Sequence, residues 1–129
     1  MYRYAVPGCS AWIWGIRYAD SSGLPAESQA YYFDRLDSVV LPNVRRLQDA
    51  FRGNRLEVIH TRIQSLTMDG RDRGPGHKRL GLHAAPGSKE AEFLESIAPI
   101  GDEIVVNKTA SGVFSSTNLE YVLRNLGIT

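Results

Sequence analysis

Glu103-Ile104-Val105-Val106-Asn107-Lys108 is a short run rich in β-branched residues. Its composition predicts a strand over residues 103–107. Lys108 follows at the carboxyl end of that strand, directly before the loop 108–116. Open α/β sheets place ligand-handling groups at this end of their strands. A lysine here can pair with a carboxylate and stabilise a thiolate or a developing oxyanion, or it can be an ordinary solvated strand end.

The segment that follows this loop predicts a helix. Thr117 and Glu120 have the spacing of a capping box, in which a Ser or Thr is followed three residues later by Glu. Apolar residues then recur at helical spacing, and Gly127 ends the pattern. The apolar residues of this stripe are Leu119, Val122, Leu123 and Leu126.

A longer helix is predicted upstream, over residues 38–52, because apolar residues recur there at spacings of four, three and four. These residues are Val40, Val44, Leu47 and Phe51. Ser38 is the predicted N-cap, Pro42 falls in the first turn, and Gly53 ends the helix. A weaker helical pattern precedes it from Ser28.

Between these elements the sequence predicts one further strand, a long loop and a short helix. Residues 56–60, Leu-Glu-Val-Ile-His, predict a strand. Residues 61–87 are polar and rich in Gly and Pro, which predicts a long loop of the kind that covers a substrate, with a turn at Gly74-Pro75-Gly76. Ser88 or Gly87 caps a short predicted helix through residue 97. Residues 1–27 are predicted to be irregular, with an aromatic group of Trp12, Trp14 and Tyr18.

The alternation of helices and strands predicts the α/β class, with a parallel sheet covered on both faces. We find only two strands in the sequence. A parallel sheet of two strands leaves its edges poorly covered. The predicted elements therefore fall short of a complete sheet.

Composition excludes several functional classes. The chain has 129 residues, 43% hydrophobic and 22% charged, which is typical of one globular domain. The formal net charge of +1 gives no field for binding nucleic acid or an anionic membrane. No apolar run reaches the roughly 20 residues of a membrane span, and no signal peptide is recognisable. One cysteine fits a reducing compartment, so we expect a cytoplasmic protein.

Metal and thiol chemistry find little support in the residue pattern. The histidines His60, His77 and His83 are scattered without metal-ligand spacing, so we expect no metal and interpret them as exposed or edge residues. Cys9 lies in an irregular segment without a following amphipathic helix that would lower the pKa of its thiol. A structural or incidental role for Cys9 is therefore favoured over a catalytic one.

Several motifs together resemble the isochorismatase-like cysteine hydrolases, from about residue 28 to the end. They are Val58-Ile59-His60-Thr61-Arg62, Asp69-Gly70-Arg71-Asp72, the run from Glu103 to Phe114, Thr117-Asn118-Leu119-Glu120, and Leu123-Arg124-Asn125-Leu126-Gly127-Ile128. Each motif is weak alone, but the strand ending in Asn-Lys-Thr-Ala-Ser-Gly-Val-Phe and the helix that follows are specific in combination.

The resemblance implies a three-layer α/β/α fold with a Rossmann-like parallel sheet, of which residues 1–129 form a single, partial domain with the first strand and the strands after Thr129 missing. It also implies a triad of aspartate, lysine and cysteine that hydrolyses small amides, carbamoyl compounds or related substrates, without a cofactor. Lys108 matches the lysine. Neither Asp20 nor Cys9 stands at a position that matches the other two members, so we transfer no role to them. Substrate-binding candidates are Arg62, Arg71, Arg79 and Phe114, although a solvated loop position is the simpler interpretation of each arginine.

Two functions are compatible with the sequence. One is a cysteine hydrolase that takes a small-molecule substrate and uses Lys108. The other is a catalytically inactive fragment or pseudoenzyme that acts through self-association of an exposed sheet edge. A homo-oligomer is expected in either case. An incomplete gene product would also explain the missing triad members.

Overall fold

The computed structural model describes residues 26–128 of the chain. The helices are α1 (Ala26–Arg35), α2 (Leu41–Gly53), α3 (Pro75–Arg79), α4 (Val113–Ser116) and α5 (Leu119–Asn125). The strands are β1 (Ile59–Ile63) and β2 (Ile104–Lys108), and two 3₁₀ turns, Lys89–Ala91 and Glu95–Ile97, lie between them. The predictions for Cys9, Asp20 and the N-terminal aromatic group lie outside the described residues.

The first helical segment is longer than predicted, because a π-helical turn, Leu36–Val40, connects α1 to α2. Ser38 is therefore not an N-cap. Its hydroxyl donates a hydrogen bond of 2.6 Å to the carbonyl of Asp34, one turn earlier in the same helical run. Pro42 follows the π turn, and its ring and missing N–H are consistent with the irregular backbone there. Gly53 ends α2, as predicted.

Strand β1 begins three residues later than predicted, because the end of α2 uses the intervening residues. The Leu56 N–H donates to the Phe51 carbonyl at 2.9 Å, and Arg55 has a φ of 55°. This left-handed turn ends the helix, so the extended chain starts only after it. Strand β2 is shifted by one residue from its predicted range.

The two strands are parallel, with Ile59 opposite Ile104 and Ile63 opposite Lys108. One face of this sheet carries the hydrophobic core, where Ile59 and Val106 pack against Leu119 of α5. Partly buried side chains complete the cluster: Ile104, Val113 of α4 and Leu123 of α5. Helices α4 and α5 therefore cover this face. Helix α4 lies within the predicted loop 108–116.

The opposite face carries a polar network toward α2. Arg52 of α2 donates two hydrogen bonds to the Glu103 carboxylate, at 2.7 and 2.9 Å. The second Glu103 oxygen also lies 2.8 Å from Nε2 of His60. Helix α2 therefore lies on this side of the sheet, and the described chain has the predicted α/β class with cover on both faces. None of the helices of residues 26–128 is long and apolar enough to cross a membrane.

The predicted helix over residues 88–97 is wrong, because the structure has two 3₁₀ turns there with extended chain between them. The extended chain allows Phe93 to pack edge-on against the His60 ring, with centroids 5.5 Å apart. The histidine interpretation is also corrected, since His60 is only 4% exposed. Gly74-Pro75-Gly76 is not a turn but the start of α3.

Candidate active site

Lys108 is a buried lysine at the carboxyl end of β2. Only 4% of the residue is exposed, so a solvated strand end is excluded. Its Nζ donates a hydrogen bond of 3.1 Å to the backbone carbonyl of Ser111. Burial lowers the pKa of the Lys108 amine, because the charged form loses hydration in the protein interior.

The strand ends bring a second segment beside Lys108. The Gln64 N–H donates a hydrogen bond of 3.1 Å to the Lys108 carbonyl, extending the strand pairing past β1. The next residue, Ser65, is buried and its N–H donates to the Ala84 carbonyl at 2.9 Å. The side-chain oxygen of Gln64 is buried and has no hydrogen-bond partner among residues 26–128. The carboxyl edge of the sheet thus carries a buried amine and a buried amide oxygen.

The long loop packs against the loop that follows Lys108. The Gly74 N–H donates to the Thr109 carbonyl at 2.9 Å. A Cβ atom on Gly74 would lie 2.9 Å from the Cβ of Ala110, so only glycine allows the two segments to approach this closely. The start of α3 is therefore fixed on the lysine loop rather than extended into solvent.

His77 lies in α3 and was not identified as a site residue from the sequence. It is 3% exposed, and its Nε2 is 3.2 Å from the hydroxyl of Ser111. Burial, and then the positive charges of Lys108 and Arg73, lower the pKa of His77. The available signal in the sequence was Gly74-Pro75, because Pro favours the first turn of a helix and so indicates that His77 lies in one.

The candidate Arg62 lies on the other face of the sheet from Lys108. Its guanidinium donates to Asn107 Oδ1 at 2.7 Å and to the Ala91 carbonyl at 3.0 Å. It also stands 5.4 Å from the centroid of the Phe93 ring. Burial lowers its pKa. The structure therefore does not bring Arg62 together with Lys108, and its contacts are those of a residue that connects β1 to the chain around Ala91.

The other substrate-binding candidates are exposed. Arg71 forms an ion pair of 3.3 Å with Asp69, and both side chains are largely solvated. Arg79 is the last residue of α3 and is exposed, as is Phe114 in α4. Their roles in substrate binding stay predictions. In the part of the chain from 26 to 128, no three His, Cys, Asp or Glu side chains are grouped to hold a metal ion.

The surroundings of Lys108 are those of an amine that can transfer a proton or stabilise a negative charge. A buried amine with a lowered pKa gives up its proton more readily than a solvated lysine. In its charged form it can stabilise an anion that develops beside it, since the surroundings exclude water. Perturbed groups of this kind cluster at functional sites, and the carboxyl edge of a parallel sheet is where they are expected.

Comparison with known proteins identifies the family to which the chain belongs. Residues 29–129 match the family model of the Isochorismatase domain. The chain belongs to this family. A curated relative is the N-carbamoylsarcosine amidase of an Arthrobacter species, 29% identical over 89 residues, which are 65% of this chain and 34% of that protein.

Solved structures of the isochorismatase family have the same fold over the matched region. The N-carbamoylsarcosine amidase of Thermoplasma acidophilum is 28% identical with a TM-score of 0.57, over 68% of this chain and 48% of that one. A cysteine hydrolase of Pseudomonas syringae pv. phaseolicola 1448A is 26% identical with a TM-score of 0.63, over 70% of this chain and 44% of the other. The chain thus spans less than half the length of these relatives.

Proposed function

We propose that this chain carries the catalytic lysine of a cysteine hydrolase that acts on a small amide, carbamoyl compound or related substrate. The observation that carries the proposal is the burial of Lys108 at the carboxyl end of β2, where its Nζ donates a hydrogen bond to the Ser111 carbonyl. Membership of the isochorismatase family and the names of two relatives, both N-carbamoylsarcosine amidases, support the substrate class.

In the proposed reaction a thiolate attacks the substrate carbonyl, and backbone N–H groups hold the oxyanion. The C–N bond then breaks and the amine leaves with a proton, after which water hydrolyses the thioester, releasing the acid and the thiol. Lys108 serves as a general acid and base or as an electrostatic partner of the thiolate. The aspartate and the cysteine of such a triad have no matching residue in the 129-residue sequence. Covalent catalysis needs the thiolate, so we expect substrate binding without turnover by this chain alone.

The test combines a binding and a turnover measurement on the 129-residue chain. The sequence contains three lysines, Lys78, Lys89 and Lys108, so selective ¹³Cε labelling gives three assignable signals. Titration with millimolar N-carbamoylsarcosine is expected to shift the Lys108 signal and leave the exposed Lys89 unchanged. An unchanged Lys108 signal refutes the proposed site. Ammonia release that is lost in Lys108→Met and kept in Lys89→Met shows instead that the chain is catalytically competent.

An inactive chain that acts through self-association is the second candidate. Exposed apolar side chains on the π turn and α2, Val40 and Leu47, favour it. In the described residues each strand also pairs with one neighbour, and such edges can accept another chain. Size-exclusion chromatography with light scattering tests this function. An oligomer that dissociates in Leu47→Glu supports it, and a wild-type monomer with a cooperative melt contradicts it.

A further inference from the structure

We propose that His77 is a positioning residue for Lys108, holding the loop 109–112 so that the Ser111 carbonyl accepts the hydrogen bond from Lys108 Nζ. This inference rests on the proposed function, because it assigns to His77 a part in the same site. His77 is not expected to touch substrate. It acts through Ser111, which contacts both residues.

The contacts form a continuous path from α3 to the amine. The His77 ring meets the Ser111 hydroxyl at 3.2 Å, and the carbonyl of the same Ser111 accepts the Lys108 hydrogen bond at 3.1 Å. The Gly74 N–H holds the preceding part of the loop through the Thr109 carbonyl. A displacement of the His77 ring would therefore move the acceptor of the lysine.

The unpaired ring nitrogen of His77 indicates which form of the ring is present. Nδ1 is buried and has no hydrogen-bond partner within residues 26–128. A proton on Nδ1 would leave a buried N–H without an acceptor, which is costly, so the neutral ring carries its proton on Nε2. In this form Nε2–H donates to the Ser111 hydroxyl. A neutral ring also adds no positive charge beside Lys108 and Arg73, the cations that face it.

The burial of this histidine is poorly explained by stability alone. One ring nitrogen is satisfied and the other is not, and a buried polar group with an unmet hydrogen bond costs free energy. An apolar side chain of similar size would fill the same space without that cost. Retention of a polar ring against the lysine loop is consistent with a role at the site.

The experiment measures the titration of the Lys108 ε-carbon signal in three proteins: wild type, His77→Gln and His77→Asn. The side-chain amide nitrogen of Gln takes the place of Nε2 and can donate to Ser111. The amide of Asn is too short to reach it. Lys89 is the internal reference, and thermal melts monitor the global fold.

We expect the Lys108 midpoint to lie below the usual range of a lysine in wild type and in His77→Gln. In His77→Asn the loop 109–112 loses its hydrogen bond to α3 and the Lys108 amine becomes more hydrated. The Lys108 midpoint should then rise by roughly half a pH unit or more. Equal midpoints in all three proteins, or equal shifts in both variants, overturn the inference. If His77→Asn does not fold, Ser111→Ala removes the same hydrogen bond and gives the same reading.

Failure of the positioning role of His77 can be distinguished from failure of the proposed function. A Lys108 signal that responds to N-carbamoylsarcosine, but whose midpoint is indifferent to His77, refutes only the positioning role. A Lys108 signal that ignores the ligand refutes the proposed function, whatever the His77 variants do.

Discussion

Arg52 of α2 and Glu103, the residue before β2, form a bidentate ion pair with hydrogen bonds of 2.7 and 2.9 Å. The Arg52 and Glu103 side chains are 22% and 15% exposed, so water screens the pair only partly. The hydrogen bond to Glu103 raises the pKa of Arg52, which keeps the guanidinium charged. The pair connects a helix to the sheet across 51 positions of sequence.

We expect Glu103→Gln and Arg52→Met each to lower the free energy of unfolding by about 2 kcal/mol, because each leaves a partly buried group without its charged partner. The double variant should cost less than the sum of the two, since both remove the same interaction. Urea denaturation of the four proteins measures the coupling. Strict additivity would contradict an energetic role for this pair.

The stability of the protein should also fall in acid through Glu103. The hydrogen bonds from Arg52 lower its pKa most, burial opposes them, and donors at Ile100 and His60 lower it further, to about 2 from 4.5. Because the folded-state pKa is below the unfolded one, this stability is present above about pH 4.5 and is lost as the pH falls toward 2.

Denaturation midpoints at pH 6, 4 and 3 measure this dependence, which should be shallower in Glu103→Gln. It should not vanish, because Asp72 behaves in the same way. Burial acts to raise the pKa of Asp72, but hydrogen bonds from Leu66 and Thr67 outweigh it and lower the pKa to about 2. Equal pH profiles for wild type and Glu103→Gln would contradict the assignment.

Replacement of Lys108 by Met should leave the fold as stable as before or stabilise it by up to about 2 kcal/mol. The buried amine gives up hydration, and an apolar side chain of similar length does not. Thermal and urea denaturation measure the change, with Lys89→Met as the exposed control, expected within about 0.5 kcal/mol. A large loss of stability in Lys108→Met would show that the lysine is retained for structural reasons.

Arg62→Lys should destabilise the protein by about 1 to 2 kcal/mol, because the lysine cannot reproduce both directed hydrogen bonds, to Asn107 and Ala91. Arg71→Lys is the matched control on an exposed ion pair, and its effect should stay within about 0.5 kcal/mol. Chemical denaturation compares the two. Equal effects would mean that the Arg62 contacts add nothing to stability.

Gly70→Ala should be more destabilising than Gly87→Ala, although both glycines have left-handed backbones with φ of 65° and 74°. Each substitution costs roughly 1 kcal/mol for the backbone. At Gly70 the new Cβ would also lie 2.6 Å from Nε of Arg73 and 2.7 Å from His83, whereas at Gly87 it meets open space. Melting temperatures of the two variants give the difference, and a Gly87→Ala effect as large as that of Gly70→Ala would contradict it.

The sequence predicts correctly those elements whose local residue pattern matches their burial in the fold. β2 was placed within one residue, because its β-branched run has no competing helical spacing. The capping box predicts the N-cap of α5 at Thr117, one residue before the observed N-cap, Asn118. Thr117 does accept a hydrogen bond from the Leu119 N–H at 3.1 Å, but Glu120 pairs with Arg124 instead of completing the capping box. Neighbouring side chains within the helix decided that outcome.

The rest depended on contacts between distant residues. His60 and His77 are buried because Glu103 and Ser111, 43 and 34 positions away, provide their partners. No local pattern contains that information. Ser38 was predicted as an N-cap from its type alone, and the helical residues before it removed the free N–H groups that a cap would satisfy.

The register of the sheet separates its two charged centres. Glu103 and Lys108 stand at opposite ends of β2, roughly 16 Å apart at the usual rise per residue. Their side chains serve opposite faces, one toward α2 and the other toward the loop before α4. Changes at such separations are usually independent in energy. Substitutions around Lys108 are therefore expected to leave the contribution of the Arg52–Glu103 pair to folding unchanged.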